Sequence, residues 1–206
     1  MTITIIDYGM GNLASIQNML KSLGMYSSIS SDPKEISSAE KLILPGVGAF
    51  DQGVDRIHSQ PFLVESIKES VVQRKRPVLG ICLGMQLLME SSEEGVLPGL
   101  NLIPGTVLKF RNDAKIGKIH MGWNSIEILN SRSPIFQNID PGLRFYFVHG
   151  YFVKPENESH TIAKTNFGVD FSSVINSNNI WGMQFHPEKS HKFGQALLNR
   201  FGEIDC

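Results

Sequence analysis

Apolar positions in the first ninety residues switch between two periods. Ile3, Ile5 and Ile6 predict a short strand that ends in the turn Asp7-Tyr8-Gly9-Met10-Gly11. Asn12 stands where a helix N-cap belongs, and Leu13, Ile16, Leu20 and Leu23 then recur at helical spacing until Gly24 stops them. Lys41-Leu42-Ile43-Leu44 reads as a buried strand closed by Pro45-Gly46-Val47-Gly48. Behind Pro61, Leu63, Ile67 and Val71 share one face of a helix. Val78 to Ile81 is again strand-like, and Leu83, Gln86, Leu87 and Glu90 continue it as a helix. This alternation predicts an α/β fold with a mostly parallel central sheet and flanking helices, and ligands bound at the carboxyl ends of its strands.

From Gly105 to about Phe185 the pattern changes to short β-rich runs separated by turn residues. They are Thr106 to Phe110, Ser125 to Leu129, Phe145 to Val153, Val174 to Asn176 and Ile180 to Phe185. They predict an added β-rich portion in the second half, without a linker, so 1–206 reads as a single domain. A last helix starts near Ser190 with Phe193, Ala196, Leu197 and Phe201 as its stripe. No internal repeat or low-complexity segment is present.

Composition narrows the function. The chain has 206 residues, 41% hydrophobic and 19% charged, with a formal net charge of −1. That is enough chain for one substantial core, and the balance lacks the basic stripe of a nucleic-acid binder. No apolar run approaches the roughly 18 residues of a membrane span. The N-terminus carries no basic leader and reads as a first strand. Two cysteines, Cys82 and Cys206, make no disulfide framework, so a cytoplasmic setting is expected.

The candidate chemistry starts at Cys82. It sits where the strand becomes a helix, flanked as Gly80-Ile81-Cys82-Leu83-Gly84. That spacing matches a nucleophile elbow, which pushes one side chain out over the sheet edge and aims free helix N–H groups at whatever it attacks. A small core cysteine is the competing reading. Near the C-terminus, Gln184-Phe185-His186-Pro187-Glu188 follows an apolar strand. Pro187 holds His186 extended, and residues two apart then point to one side. Glu188 can therefore orient the His186 imidazole, and His186 can take a thiol proton. A surface turn is the bland alternative. No metal site is expected, because the six histidines are scattered and no metal-ligand spacing occurs. The early Gly9-Met10-Gly11 turn fails the dinucleotide pattern, which needs glycine at Ala14.

Pro45-Gly46-Val47-Gly48-Ala49-Phe50, Gly80 to Leu88, His120-Met121-Gly122-Trp123-Asn124, Tyr146-Phe147-Val148-His149 and Gln184 to Ser190 together resemble the triad-type (class I) glutamine amidotransferases. Within that family they are most similar to the glutaminase subunits that feed imidazole glycerol phosphate synthesis in histidine biosynthesis. The resemblance covers nearly the whole chain, with every motif in order, and implies a flavodoxin-like fold of that class.

It also implies roles. Cys82 would attack the side-chain amide of L-glutamine, His186 would act as base and then acid, and Glu188 would orient it. Glutamate would leave through a thioester. The N–H groups of Leu83 and of the Val47-Gly48 turn would hold the oxyanion, and glutamine would lie near Gly48, Gln86 and the Val148-His149-Gly150 backbone. His149 has no acid/base role in this reading. No cofactor is needed. Ammonia would pass to a separate (β/α)8 cyclase subunit, with Asn12, Trp123, Tyr146 and Lys189 at or near the contact. Ile119 stands where the family commonly has proline, and Gly150 where serine or threonine is usual. A paralogous glutaminase for amination or amidination of a nucleotide-linked sugar is therefore the second expectation, and an unrelated cysteine hydrolase or a non-catalytic binding subunit the others.

Overall fold

The computed structural model describes residues 2–111, 117–139 and 142–204. The first half follows the alternation: β1 (Thr2–Ile6), α1 (Leu13–Ser22), β2 (Tyr26–Ser30), α2 (Pro33–Ser38), β3 (Lys41–Leu44), α3 (Phe50–His58), α4 (Leu63–Lys68), β4 (Val78–Ile81) and α5 (Leu83–Leu87). A π-turn, Glu69–Gln73, extends α4 and keeps Val71 buried with it. The second half contributes β5 (Ser91–Ser92), β6 (Gly105–Lys109), β7 (His120–Ser125), β8 (Glu127–Ile128), β9 (Arg144–His149), β10 (Tyr151–Pro155), β11 (Thr161–Asn166), β12 (Asp170–Ser177), β13 (Ile180–Met183) and α6 (His191–Glu203).

The main sheet runs β2-β1-β3-β4-β13-β12-β11-β8. Its β2 to β13 side is parallel, and β12, β11 and β8 extend it antiparallel. Strand alternation divides the core between two faces. Ile3, Ile5, Ile43, Leu79 and Ile81 pack under α1 and α6, while Ile6, Leu42, Leu44 and Val78 pack under α3, α4 and α5. Burial on both faces is why these parallel strands read as continuous apolar runs. Lys41 is the exception in β3. It is fully buried, and its Nζ donates to the carbonyls of Phe201, Gly202 and Ile204, closing the C-terminus of α6.

Two smaller sheets, β10-β6-β5 and β7-β9, complete the second half. Three expectations change here. The apolar run Phe145 to Val153 is two strands, because Gly150 bends the chain and sends β9 to pair with β7 and β10 with β6. The expected run Ser125 to Leu129 reduces to β8, preceded by β7. The helix after Cys82 ends at Leu87, so Glu90 lies beyond it.

Candidate active site

Three neighbouring parallel strands end at one edge of the sheet. In β3, β4 and β13 the register aligns Leu44 with Gly80 and Ile81 with Met183. The turn Pro45-Gly46-Val47-Gly48, the residue Cys82 and the segment Gln184-Phe185-His186 therefore emerge side by side. This arrangement brings the nucleophile and base candidates together from positions a hundred residues apart in the chain.

The elbow at Cys82 is strained. Its φ is 54° and ψ −110°, a conformation that costs a non-glycine residue about 1–3 kcal/mol. The surroundings leave no alternative. A Cβ on Gly84 would lie 1.8 Å from the Leu44 carbonyl oxygen, and one on Gly80 2.7 Å from the Gly84 oxygen. The backbone N–H of Cys82 donates to Met183 O at 2.8 Å, tying the elbow to β13. The first helical bond runs from the Gln86 N–H to Cys82 O, so the Leu83 N–H precedes it and lies at the mouth of the turn.

His186 is extended (φ −99°, ψ 96°), as its proline neighbour predicts. Glu188, however, lies in a 3₁₀ turn, Pro187–Lys189, so the turn and not a straight strand brings it back to the ring. His186 Nδ1 and Glu188 Oε1 are 2.8 Å apart, with both side chains 2% exposed. A carboxylate accepts, so Nδ1 carries the proton and Nε2 faces Cys82. Nε2 is buried with no aligned acceptor, and it lies within electrostatic reach of the sulfur. Burial alone would push the imidazole down. The Cys82 and Glu188 interactions outweigh burial and hold His186 protonated well above its ordinary range.

Ser190, which sequence reasoning gave no role, clamps this segment. Its Oγ donates to His186 O at 2.6 Å and accepts the Tyr146 N–H at 3.0 Å, while the His186 N–H donates to Tyr146 O. Strand β9 is thereby fixed beside the base. Tyr8 does the same for the opposite turn. Its buried hydroxyl donates to Pro45 O at 2.6 Å, and burial and the nearby Cys82 raise its pKa far above the usual phenol value.

A cavity of about 210 Å³ opens between these walls. Val47, Gly48, Leu83, Gln86, Val148, His149 and Gly150 all line it, together with Cys82 and His186. Glu94 and Tyr151 complete the lining, and neither was singled out from the sequence. Glu94 comes from the loop after β5, where its Oε2 accepts the Phe50 N–H at the start of α3. His149 is buried and fully engaged. Its Nδ1 is 2.7 Å from Tyr151 O and its Nε2 3.1 Å from His120 Nδ1. Burial lowers its pKa to about 3 and that of His120 to about 4.

Trp123, Tyr146 and Lys189 form one surface cluster. Trp123 and Tyr146 are paired across β7 and β9, Lys189 Nζ lies 5.8 Å over the Tyr146 ring, and Trp123 stacks on His191 at 5.6 Å. Asn12 occupies the N-cap position of α1 without a side-chain capping bond. Among the described residues no group of His, Cys, Asp and Glu is arranged to hold a metal, and no helix is long and apolar enough to cross a membrane.

Residues 4–203 match the family model described as glutamine amidotransferase class-I. The chain belongs to the class-I glutamine amidotransferases. It is 46% identical over 199 residues to a protein named imidazole glycerol phosphate synthase subunit HisH 2 from Methanococcus maripaludis, covering 97% of this chain and 98% of that one. It is 45% identical to imidazole glycerol phosphate synthase subunit HisH from Bdellovibrio bacteriovorus, covering 98% and 100%. Among solved structures, PurLQS from Thermotoga maritima aligns with a TM-score of 0.75 at 19% identity, covering 98% of this chain and 97% of that one. A putative GMP synthase subunit from Thermoplasma acidophilum aligns at 0.73 and 19%, covering 98% and 92%. Those two carry the amidotransferase fold only, and the elbow, turn and base described above sit on that fold.

Proposed function

We infer that this amidotransferase is the glutaminase subunit of an imidazole glycerol phosphate synthase. It hydrolyses L-glutamine to glutamate and ammonia and hands the ammonia to a partner subunit in histidine biosynthesis. Full-length identity of 45–46% to subunits of that name supports the pathway. The observation that carries the chemistry is the convergence of Cys82, the His186–Glu188 pair and the Val47-Gly48 turn on one cavity.

The sulfur attacks the amide carbon of glutamine, and the oxygen gains the charge. The Leu83 N–H and an N–H of the Val47-Gly48 turn receive it; such a donor contributes about 2.7–4 kcal/mol. His186 delivers its proton to the departing ammonia, leaving a thioester on Cys82. Now neutral, His186 takes a proton from water, the hydroxide adds to the thioester, and glutamate leaves. Glu188 keeps the ring in the tautomer that both steps need. Gln86 and the Val148-His149-Gly150 backbone position the substrate. The Glu94 carboxylate suits its α-ammonium group.

The acceptor is a separate (β/α)8 cyclase, docked over the Trp123, Tyr146 and Lys189 cluster, with Asn12 at the same contact. Ammonia released into water is protonated and lost, which is why a glutaminase of this design works against a partner. The test is glutamine turnover by the purified chain, alone and with a histidine-pathway cyclase and its nucleotide ligand. The expected result is strong stimulation and covalent labelling of Cys82 by a glutamine-analogue electrophile. Labelling without stimulation assigns the ammonia to another acceptor. No labelling removes the glutaminase reading.

A further inference from the structure

Behind the nucleophile lies a buried amide chain whose direction is fixed. The Tyr151 carbonyl can only accept, so the Gln86 atom 3.1 Å from it is the Nε2 amide. The same Nε2 reaches Gln184 at 3.3 Å, so the facing Gln184 atom is Oε1. That leaves Gln184 Nε2 turned to Cys82 Sγ, at 3.9 Å. Gln184 is fully buried, and its backbone N–H donates to Ser173 O of β12, which anchors it just beyond β13 and beside the elbow. The sulfur also lies 3.9 Å from Val148 O, with His186 nearby. The amide and the carbonyl both approach a sulfur that lines the cavity.

We propose that Gln184 is a further catalytic residue, donating its side-chain N–H to the Cys82 sulfur, with Gln86 as the positioning residue that aims it. The amide keeps its proton throughout. In the first half-reaction the N–H favours the sulfur as a thiolate. In the second, hydroxide adds to the thioester carbon, the C–S bond breaks, and the electron pair returns to a sulfur that still faces the donor. The groups that titrate around this sulfur are the His186 imidazole and the Tyr8 phenol. Gln184 adds a donor of fixed charge state beside the sulfur. The proposal deepens the glutaminase reading and rests on it only for the identity of the electrophile.

The test compares Gln184→Met, which keeps volume and loses the donor, with Gln184→Glu, which keeps shape and replaces the donor with an acceptor. Iodoacetamide is the probe of Cys82, followed across pH, and glutamine turnover gives kcat and KM. A hydrogen bond to a charged group sets the scale. Alkylation at neutral pH is expected to fall about ten- to hundredfold in Gln184→Met and further in Gln184→Glu, with the rate regained at higher pH. The kcat falls by a similar factor while KM stays within about twofold. If the methionine variant does not fold, the glutamate variant carries the same comparison. A folded variant whose alkylation profile superimposes on the parent's overturns the proposal, and so does a loss confined to KM. Iodoacetamide needs no glutamine. A parent chain that alkylates normally but turns over no glutamine, even with the cyclase and its nucleotide ligand, therefore refutes the glutaminase reading and leaves this one standing.

Discussion

The cavity has two histidine walls, and they are electrostatic opposites. His186 and His149 are both buried, both line the same space and both follow an apolar strand segment. His186 faces a carboxylate and a sulfur and is held protonated. His149 donates to a main-chain carbonyl and accepts from a second histidine, and burial drives it to about 3. The two rings show that burial alone does not decide what an imidazole does. The partner decides, and only one wall has an acid for a partner.

The largest effect should separate the walls outright. Removing the proton carrier in His186→Asn is expected to lower kcat by about 10²–10⁴-fold at nearly constant KM. His149→Asn removes hydrogen bonds worth about tenfold at most and should act chiefly on KM through the substrate strand. Steady-state kinetics of the two variants tests this. Equal losses of kcat would make His149 a proton carrier and break the comparison.

The two walls were not equally legible in the sequence. The Cys82 and His186 side was readable because its constraints are local. Two glycines flank the elbow since no Cβ fits there, and Pro187 fixes the conformation of His186. The parallel strands were readable as apolar runs because both faces are covered. On the His149 side the run that carries His149 was readable as β-rich, but its partner strand was not, because β7 is inverted. It turns His120 and Asn124 inward, where Asn124 Nδ2 meets the His120 ring, and leaves Met121 and Trp123 outside, 66% and 40% exposed. A strand that is polar within and apolar without hides its own period. Helix α3 was missed for a different reason. Phe50, Val54 and Ile57 have helical spacing, but Gly53 interrupts them, and it is there so that Leu83 and Leu87 of α5 can approach. Glu94, Tyr151 and the direction of the Gln184 amide depend on long-range placement, which no spacing encodes.

A smaller effect tests the charge on the cavity wall. Glu94 is the carboxylate that lines the cavity, whereas Glu188 lies behind His186. Glu94→Gln keeps an acceptor for the Phe50 N–H and loses the charge. It is expected to raise KM for glutamine about ten- to hundredfold, the scale of a charged hydrogen bond, with kcat within about twofold. A drop in kcat at constant KM would instead place Glu94 with His186 among the groups that move protons.

The smallest effect is on stability, and it runs in opposite directions for the two walls. His149 and His120 have folded pKa values of about 3 and 4, below the ordinary 6.5. Their contribution is present above pH 6.5 and is lost as pH falls, because the unfolded chain binds protons that the folded one refuses. His186 is raised, so its contribution is complete below pH 6.5 and is lost as pH climbs toward its folded value. Each limb has a slope of up to about 1.4 kcal/mol per pH unit per group, and the hydrogen-bonded His120–His149 pair titrates as a unit. Urea midpoints between pH 6.5 and 5, above the ordinary carboxylate range, isolate the acid limb, and midpoints from pH 6.5 to 9 isolate the alkaline one. His149→Asn should flatten the first and leave the second. Glu188→Gln removes the acid partner and should flatten the second alone, since His186 then differs less from its unfolded state. If Glu188→Gln leaves the alkaline limb as steep as in the parent, the carboxylate is not what distinguishes the two walls, and the sulfur alone must hold the proton on His186.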